Sequence, residues 1–446
     1  MSKITLQCWL KNAWHDAAVL TVQNPEQGRS GSAELEYLPD YVARFIDIPA
    51  AQLGFEYPVD FFPHQCDHWP AFLLDIFPLG AARRVICLRI GLSNPGSLSH
   101  DFQLLRDHCP SPVGNVRVKE SVSNNPAPAI GFPMEDVLKR DTNFLDYARD
   151  HGATIGGATG AGGEAPKLLV SLGNDGLYYP SGSIDESLCQ EHFLVKFPRH
   201  SSSLNDQIIL EAEARYYQIL DRMSHLESIN TDPDRLPSIF FAADNRQGIS
   251  KPSLWLKRFD ANAGQRVGLE SLYSLQGVIE PGQTVQHLDY LNTLCRYWTI
   301  RNQEEQIPKL VSDYIKRDLL NVVLGNTDNH GRNTAILKTD TDIQLAPVYD
   351  LAPMCMDSEG ITRTSRWGSQ ELGGNFDWHG ICDDAATVHN SLSSEDLWQS
   401  LQDFTRDDLI HIPELAREYK LPESVCHHPR INLNELEKRL QNWGLL

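Results

Sequence analysis

The chain has 446 residues, 41% of them hydrophobic, so it can bury a large core and should fold as two or three domains. Its formal net charge of −20 argues against direct binding to nucleic acid, because an acidic surface repels phosphate backbones. A basic protein partner or substrate is the better expectation. The sequence shows neither a bilayer-length apolar stretch nor a signal-peptide pattern, so we expect a cytoplasmic protein with no membrane association.

The nine cysteines are scattered and form no Cys-x-x-Cys pair, which predicts reduced thiols and gives no support for a disulfide framework or a zinc ribbon. Two short clusters contain soft metal ligands, His64 to His68 and Cys426 to His428. A structural metal site needs a fourth ligand, which the sequence does not show near either cluster. Metal binding at these clusters is therefore the less favoured interpretation.

Turn- and linker-forming residues along the chain predict three domains, with limits at residues 1–125, 126–262 and 263–446. The first alternates strand-like runs with one helix over residues 69–90 and ends in a polar, proline-bearing linker. The second combines hairpin strands with a helix over residues 204–224. In the third, helices dominate.

A glycine-rich run precedes the first strong strand of the second domain and contains Gly160, Gly162 and Gly163, followed by Lys167. Backbone without side chains can approach phosphate closely and present N–H groups to it. The run lacks the ending of a Walker loop and the third glycine of a dinucleotide fingerprint, so those two interpretations are excluded. A flexible linker is the alternative.

An Asn174-Asp-Gly176 tight-turn signal is followed by an apolar strand over residues 192–198 that carries one lysine, Lys196. A lysine in such a strand either points to solvent at a sheet edge or is held for an anion. A kinase needs a strand lysine at this place, paired with a glutamate on the next helix. That helix offers Glu211 and Glu213, although each could also be a solvated helix charge.

The stretch Gly325-Asn-Thr-Asp-Asn-His-Gly-Arg-Asn333 places Asp328 five residues before Asn333, after an apolar helix over residues 310–323. In protein kinases an aspartate accepts the proton of the substrate hydroxyl, and an asparagine five residues later binds a metal ion. A second acidic ligand should follow, and a predicted strand over residues 344–350 ends in Asp350. Taken alone, the same residues could form a helix C-cap and a turn.

Five motifs in order resemble the HipA family of bacterial toxin kinases. They are Gly162-Gly-Glu-Ala-Pro-Lys167, Phe-Leu-Val-Lys196-Phe-Pro, Leu256-Lys-Arg-Phe-Asp260, Gly-Asn-Thr-Asp328-Asn-His330-Gly-Arg-Asn333 and Leu-Ala-Pro-Val-Tyr-Asp350. The resemblance is clear over residues 150–360 and weak upstream. Beyond about residue 360 no match is defensible.

This resemblance implies an α+β, two-lobed protein-kinase-like fold, with a β-rich nucleotide lobe, a mainly α-helical C-terminal lobe and a small N-terminal α/β subdomain. It also implies roles for individual residues. Carried over one by one, these are Asp328 as catalytic aspartate, Asn333 and Asp350 as magnesium ligands, Lys196 as phosphate-binding lysine and Glu213 as the helix glutamate. The stretch from Lys257 to Asp260, which includes Phe259, would be the hinge that binds adenine through its backbone. His330 fits the pattern too, with a structural role in the loop favoured over proton transfer.

The function implied is an ATP- and magnesium-dependent serine/threonine protein kinase, the toxin of a type II toxin–antitoxin pair. A DNA-binding antitoxin would be its partner, and the translation machinery, for example an aminoacyl-tRNA synthetase, its target. A kinase acting on a lipid or small molecule and a non-catalytic regulatory module are the alternatives.

The chain departs from the family in the glycine-rich loop. Gly160 stands where relatives carry a serine that undergoes autophosphorylation, and Thr159 is the nearest hydroxyl. Self-inactivation by that route is therefore in doubt. The segment 357–384 is a further candidate, an activation or substrate loop.

Overall fold

The computed structural model describes residues 1–123, 129–139, 154–155, 167–198, 203–226, 238–244 and 249–446. The chain forms two compact units, neither of them continuous in sequence. The first contains residues 1–200, 240–281 and 335–344, and the second contains 201–239, 282–334 and 345–446. Helices and several small antiparallel sheets give a mixed α/β fold, as the predicted α+β class requires. The lobe arrangement and the domain limits at 125 and 262 stay predictions.

A five-stranded antiparallel sheet begins the first unit, with strand order β4-β3-β2-β1-β5. Its strands are β1 (Ser2–Leu10), β2 (Ala13–Val22), β3 (Ala33–Tyr37), β4 (His64–Cys66) and β5 (Val116–Val118). Ile4, Leu6 and Cys8 alternate along β1 and are buried in the core of this sheet. The short helices around it are α1 (Pro39–Phe45), α2 (Leu73–Ile76), α3 (Gly80–Arg89), α4 (Asp101–Asp107) and α5 (Lys119–Ser123). The next helix, α6 (Met134–Lys139), packs against the second sheet of the unit.

The single helix predicted over residues 69–90 is wrong, because the chain breaks between α2 and α3. Phe77 is extended, with ψ of 139°. It precedes Pro78, whose ring disfavours a helical conformation for the residue before it and which has no N–H to donate. The apolar spacing is helical on both sides of the proline, which is why the pattern alone did not show the break.

A second sheet in the first unit confirms the predicted hairpin strands, with order β10-β11-β9-β7-β6 and β8 paired to β7. Its strands are β6 (Thr154–Ile155), β7 (Lys167–Gly173), β8 (Tyr178–Pro180), β9 (Cys189–Lys196), β10 (Ser238–Asp244) and β11 (Ile249–Lys257). Gly176, with φ of 80°, closes the turn between β7 and β8. Left-handed backbone there explains the strength of the Asn-Asp-Gly signal.

Smaller elements complete the first unit. The strands are β12 (Ala261–Asn262), β13 (Gln265–Arg266), β14 (Gly268–Ser271), β16 (Ala335–Lys338) and β17 (Ile343–Leu345), and the helix is α8 (Leu272–Leu275). The β14, β16 and β17 strands form one sheet. The predicted strand over residues 344–350 is wrong beyond Leu345, since Pro347 cannot donate a ladder hydrogen bond.

Helices dominate the second unit, as predicted. They are α7 (Leu204–Leu220), α9 (His287–Ile300), α10 (Ile307–Val323), α11 (Trp378–Ala386), α12 (Ser394–Asp407), α13 (Ile412–Glu418), α14 (Glu423–Cys426) and α15 (Leu436–Asn442). A capping box at α7, formed by Ser203 and Asp206, fixes where that helix begins.

The segment 357–384 is folded from short elements. It contains β18 (Ser365–Arg366), which pairs in parallel with β15 (Val285–Gln286), the hairpin of β19 (Glu371–Leu372) and β20 (Asn375–Phe376), and the start of α11. The nine cysteines are free thiols, as predicted. In the described part of the chain, no helix is both long and apolar enough to cross a membrane.

Candidate active site

The loop that carries Asp328 begins at a glycine that tolerates no side chain. Helix α10 ends at Val323, and Gly325 follows with φ of 69°. A Cβ atom on Gly325 would lie 2.6 Å from Cγ1 of Ile431 and 2.7 Å from Sγ of Cys355. The glycine therefore supplies both the left-handed turn out of the helix and the close approach of this loop to its neighbours.

Asp328 and Asn333, the two residues with kinase-like spacing, are joined directly. The side-chain N–H of Asn333 donates to the backbone oxygen of Asp328 at 2.7 Å, and its backbone N–H donates to the oxygen of His330 at 2.9 Å. The side chain of Asp328 is 15% exposed. The loop thus closes on itself and leaves the Asp328 carboxylate reachable from solvent.

His330 is buried inside the same loop. Its Nδ1 accepts the backbone N–H of Arg332 at 3.2 Å, so in the neutral ring the hydrogen is on Nε2. That nitrogen lies 3.4 Å from Oδ1 of Asp328. The geometry supports the favoured interpretation, in which His330 is a structural ring that holds the loop and the Asp328 carboxylate in place.

Asn326 was missed by the sequence reasoning, yet it connects the two acidic segments of the site. Its Oδ1 accepts the backbone N–H of Asp328 at 3.2 Å, and its Nδ2 donates to the backbone oxygen of Asp350 at 3.3 Å and to Oδ1 of Asn321 at 2.9 Å. Asn326 is thus the residue that positions the Asp350 segment beside the loop. The only sequence signal is an asparagine two residues before the aspartate, and turns carry such residues routinely.

Asp350 has a left-handed backbone, with φ of 57°, which is uncommon for a residue with a side chain. The next residue, Leu351, donates its N–H to the hydroxyl of Tyr217 at 3.5 Å. That hydroxyl donates to Oε1 of Glu213 at 3.3 Å. Burial, together with the charges of Glu213 and Asp350, raises the pKa of Tyr217 well above its usual range, so the hydroxyl keeps its proton.

The two glutamates of α7 differ in their surroundings. Glu213 is 4% exposed and lies on the same face of α7 as Tyr217, which is one turn further along the helix and whose hydroxyl donates to it. Glu211 pairs instead with Arg215, one turn along the helix surface, and both side chains are partly exposed. The solvated alternative thus describes Glu211, and burial supports the choice of Glu213 as the functional glutamate.

The donor atoms at this loop fit a magnesium ion. Because the Asn333 amide nitrogen is committed to Asp328, its Oδ1 is the atom left for another partner. Among the described residues, this buried oxygen has no hydrogen-bond partner. An orphaned buried carbonyl oxygen is costly unless something binds it, and carboxylate and amide oxygens are the ligands of a hard cation. Asn333 and Asp350 are therefore a chemically suitable pair.

Lys196 is buried at the end of a central strand, so its alternative placement at a solvent-facing sheet edge is wrong. Strand β9 pairs with β7 on one side and β11 on the other, and Lys196 is 2% exposed. It lies directly opposite Lys167, which is 4% exposed. Residues opposite each other in an antiparallel pair point to the same face, so two buried cations lie side by side.

The predicted hinge begins at the end of β11. Lys257 is partly exposed, and its Nζ contacts Oε1 of Glu191 at 2.7 Å. Phe259 is half-buried. Arg258 forms a buried ion pair with Asp260. Asp260 also accepts the backbone N–H of Gly114 at 2.5 Å. The Asp260 side chain thus has a structural role that the sequence did not indicate. The glycine-rich loop, with Gly160, Gly162 and Gly163, lies outside the described residues.

The fold that carries these residues is a mixed α/β fold with several small antiparallel sheets. The model of the HipA-like C-terminal domain family matches residues 159–406, more than half of the chain. The chain therefore belongs to the HipA-like family. This confirms the resemblance inferred from the five motifs and extends it past residue 360.

A solved structure supports the same fold. The chain is similar to the HipA structure described as the Shewanella oneidensis MR-1 toxin–antitoxin system HipA, HipB and its operator DNA complex. The TM-score is 0.61 at 16% sequence identity, with 97% of each chain covered. The TM-score and coverage show a shared fold, and at this identity the likeness shows the fold alone. A comparison with curated proteins found no match.

Proposed function

We propose that the protein is an ATP- and magnesium-dependent serine/threonine protein kinase. The observation that carries the proposal is the geometry of Asn333, whose amide nitrogen is bound to the Asp328 backbone while its buried Oδ1 has no hydrogen-bond partner in the described part of the chain. A turn or helix cap would need no such oxygen. A kinase loop needs one, at this spacing from the catalytic aspartate.

Each residue then has a defined task. Asp328 orients the acceptor hydroxyl and accepts its proton. His330, whose Nε2 lies beside Oδ1 of Asp328, keeps that carboxylate in position. Asn333 and Asp350 bind the cation, and Asn326 keeps their segments in register. Magnesium, when bound, neutralises charge on the transferring phosphoryl group. Most of the rate enhancement would come from positioning and electrostatics.

Lys196 and Lys167 bind the phosphates of ATP in this proposal. The two lysines lie directly opposite each other on neighbouring strands, and both are buried. Two cations on one face of a sheet form a positively charged surface that suits phosphate. In this proposal Lys167 is therefore a phosphate ligand together with Lys196.

Family membership and the described complex of the solved relative support a toxin role. That relative is described together with HipB and operator DNA. We infer a DNA-binding antitoxin as partner of this protein and a component of the translation machinery, such as an aminoacyl-tRNA synthetase, as its substrate. The formal charge of −20 is consistent with contact to DNA through the antitoxin and not through this chain.

The test compares Asp328→Ala and Asn333→Ala with the parent, using ATP labelled at the γ-phosphate and a bacterial extract separated into protein and small-molecule fractions. We expect Asp328→Ala to lower transfer into the protein fraction at least about 100-fold, since a general base contributes that much. Its affinity for Mg-ATP should stay within about threefold of the parent. Asn333→Ala should instead weaken magnesium-dependent ATP binding.

Asp403→Ala is the matched control, because Asp403 is a partly exposed carboxylate on α12 that pairs with Arg406. It should behave as the parent. Undiminished transfer by Asp328→Ala would overturn the catalytic assignment, and label found only in the small-molecule fraction would favour the metabolite-kinase alternative. Failure of the parent to bind Mg-ATP would favour the non-catalytic module.

A further inference from the structure

One residue of the catalytic loop, Asn329, binds with its side chain to a segment more than 30 residues further along the chain. Its Oδ1 accepts the backbone N–H groups of Thr364 and Ser365 at 3.1 and 3.3 Å. Its Nδ2 donates to the backbone oxygen of Ser365 at 3.1 Å and contacts Oδ1 of Asp318 at 3.5 Å. The Ser365 hydroxyl donates to the backbone oxygen of Asn329 at 2.7 Å.

These contacts use the full capacity of the amide, which has two acceptor sites and two donors. Asn329 therefore acts as a strand partner for residues 364 and 365. The backbone oxygen of Thr364 is bound from the other side by Val285 at 3.1 Å, through the parallel pairing of β15 and β18. The segment is thus bound on one side by β15, the strand that precedes α9, and on the other side by the catalytic loop.

A buried carboxylate forms the base of this arrangement. Asp318, on α10, accepts Nη2 of Arg363 at 2.7 Å and the indole N–H of Trp367 at 2.8 Å. Burial by itself disfavours the ionised form, but the Arg363 guanidinium and His287 hold the pKa of Asp318 well below its usual range. A charged group buried to this extent is retained only where its partners are fixed.

Glu371 closes the arrangement from the other end of the segment. It accepts Nε of Arg363 at 3.0 Å, Nη1 of Arg366 at 2.8 Å and the backbone N–H of Trp367 at 3.3 Å. Residues 363–371 are here called the anchored segment. Asp318 and Glu371 hold this segment by binding Arg363 and Trp367. The position of the segment is set by α10 and by the loop residue next to Asp328.

We propose that Asn329 is a positioning residue that couples the anchored segment to the catalytic loop, so that the two form one surface for the acceptor hydroxyl beside Asp328. This rests on the proposed kinase function and deepens it. Asn329 follows Asp328 directly, and the loop backbone is closed by the Asn333 contact. A change in the position of Asn329 therefore moves Asp328, and in this proposal Asn329 itself does not contact ATP.

The experiment measures hydrogen exchange in the anchored segment of the full-length protein, with and without Mg-ATP, for the parent and four variants. In the parent, Mg-ATP should slow exchange at residues 361–372, since ordering the loop orders what is attached to it. Asn329→Ala should abolish this slowing while Mg-ATP affinity stays within about threefold. Asn329→Asp keeps both acceptor contacts but places a carboxylate oxygen against the Ser365 carbonyl and Oδ1 of Asp318, so it should lose the slowing as well.

Ser365→Ala removes a single contact and should reduce the Mg-ATP effect least. Asn292→Ala is the matched control, because that asparagine is exposed on α9 and contacts only its own helix backbone. It should match the parent. Equal Mg-ATP protection in Asn329→Ala and the parent would overturn the proposal, and so would a parent whose anchored segment does not respond to bound Mg-ATP. A parent that does not bind Mg-ATP would instead overturn the proposed function.

Discussion

Each compact unit buries a network of charged side chains, and the two networks serve different purposes. In the first unit, the Arg266 guanidinium donates twice to Glu186, and it also binds the backbone oxygens of Pro112 and Gly114. This network attaches the chain before β5 to strand β13 and to the turn that precedes β9. It contains none of the side chains assigned to catalysis or metal binding, so it serves the stability of the unit.

In the second unit, the network of Asp318, Arg363 and Glu371 includes Asn329 of the catalytic loop. Both networks are fully buried, both rely on arginine, and both connect segments far apart in sequence. The difference lies in what they connect. Burying a charge network is costly, and the comparison shows that one chain can use the same interactions for stability in one place and for site geometry in another.

The largest effect is expected from breaking the first network with Arg266→Ala. The Glu186 carboxylate, 8% exposed, would lose its guanidinium partner and remain buried. Removing one partner of a buried ion pair typically costs about 3–5 kcal/mol of unfolding free energy. Chemical denaturation of the purified variant measures this loss.

Lys257→Ala is the matched control for that variant in the same unit. Its pair with Glu191 is about one-third exposed on both sides, so the loss should stay below about 1 kcal/mol. Because the predicted adenine contact of the hinge is through the backbone, Mg-ATP affinity should not change either. Similar losses for the two variants would contradict the distinction between a buried and a partly exposed pair.

A second prediction uses pH to separate the networks. Burial lowers the pKa of His287, which is stacked on Trp367, to about 4. In the unfolded chain the ring has its ordinary pKa of about 6.5, so as the pH falls the unfolded state takes up the proton first. The stabilisation is complete above about pH 6.5 and is lost as the pH falls through 4, at a cost of up to about 3 kcal/mol.

His287→Gln removes the titrating ring and retains a polar group for Tyr314. The unfolding free energy of the parent should therefore fall relative to that of this variant between pH 6.5 and 4. In the first network, His192 and the Arg266 guanidinium, acting against burial, hold the pKa of Glu186 at about 2. Its contribution should be lost only between about pH 4.5 and 2. Parallel pH curves for the parent and His287→Gln would refute the assignment.

The smallest of the three effects is expected at the start of the catalytic loop. Gly325→Ala should cost about 1–2 kcal/mol from left-handed backbone alone, and more from the close contacts with Ile431 and Cys355. Gly277 has a similar φ of 67°, but a Cβ atom added there would have no neighbouring atom within 4 Å. The loss of unfolding free energy in Gly277→Ala therefore measures the cost of the left-handed backbone alone.

The difference between the two glycine variants measures the packing around the loop. Thermal unfolding gives that difference, and the transfer assay shows whether it reaches the site. We expect Gly325→Ala to lower phosphoryl transfer and Gly277→Ala to leave it unchanged. Equal stability and equal activity would show that the loop can move away from its neighbours at no cost.

Local signals in the sequence predicted the elements that depend on local chemistry. The turn at Asn174 to Gly176, the strand before it and the helix before Asp328 are found where the residue pattern placed them. The turn leads into β8, which was not predicted, and the strand predicted over residues 192–198 is β9 (Cys189–Lys196). The helix over residues 69–90 failed at Pro78, and the strand over 344–350 failed at Pro347. In both cases the apolar pattern continued across a residue that interrupts the backbone hydrogen bonds.

The candidate site was predictable to the extent that its residues lie close in sequence. The spacing of Asp328 and Asn333 is a local feature, and their contact confirms that the loop closes on itself. Asn326, Tyr217 and Asn329 were not found, because each acts through a partner far away in the chain. Sequence alone shows neither which asparagine faces a distant backbone nor which tyrosine meets a distant loop.

The sequence by itself therefore determined the family and the order of the motifs, since these depend on residue type and short spacing. Tertiary structure decided which charges are buried, that Lys196 lies on a central strand opposite Lys167, and that the segment after Asp350 is bound to the catalytic loop. The physical reason is that burial and long-range hydrogen bonding depend on neighbours brought together by folding.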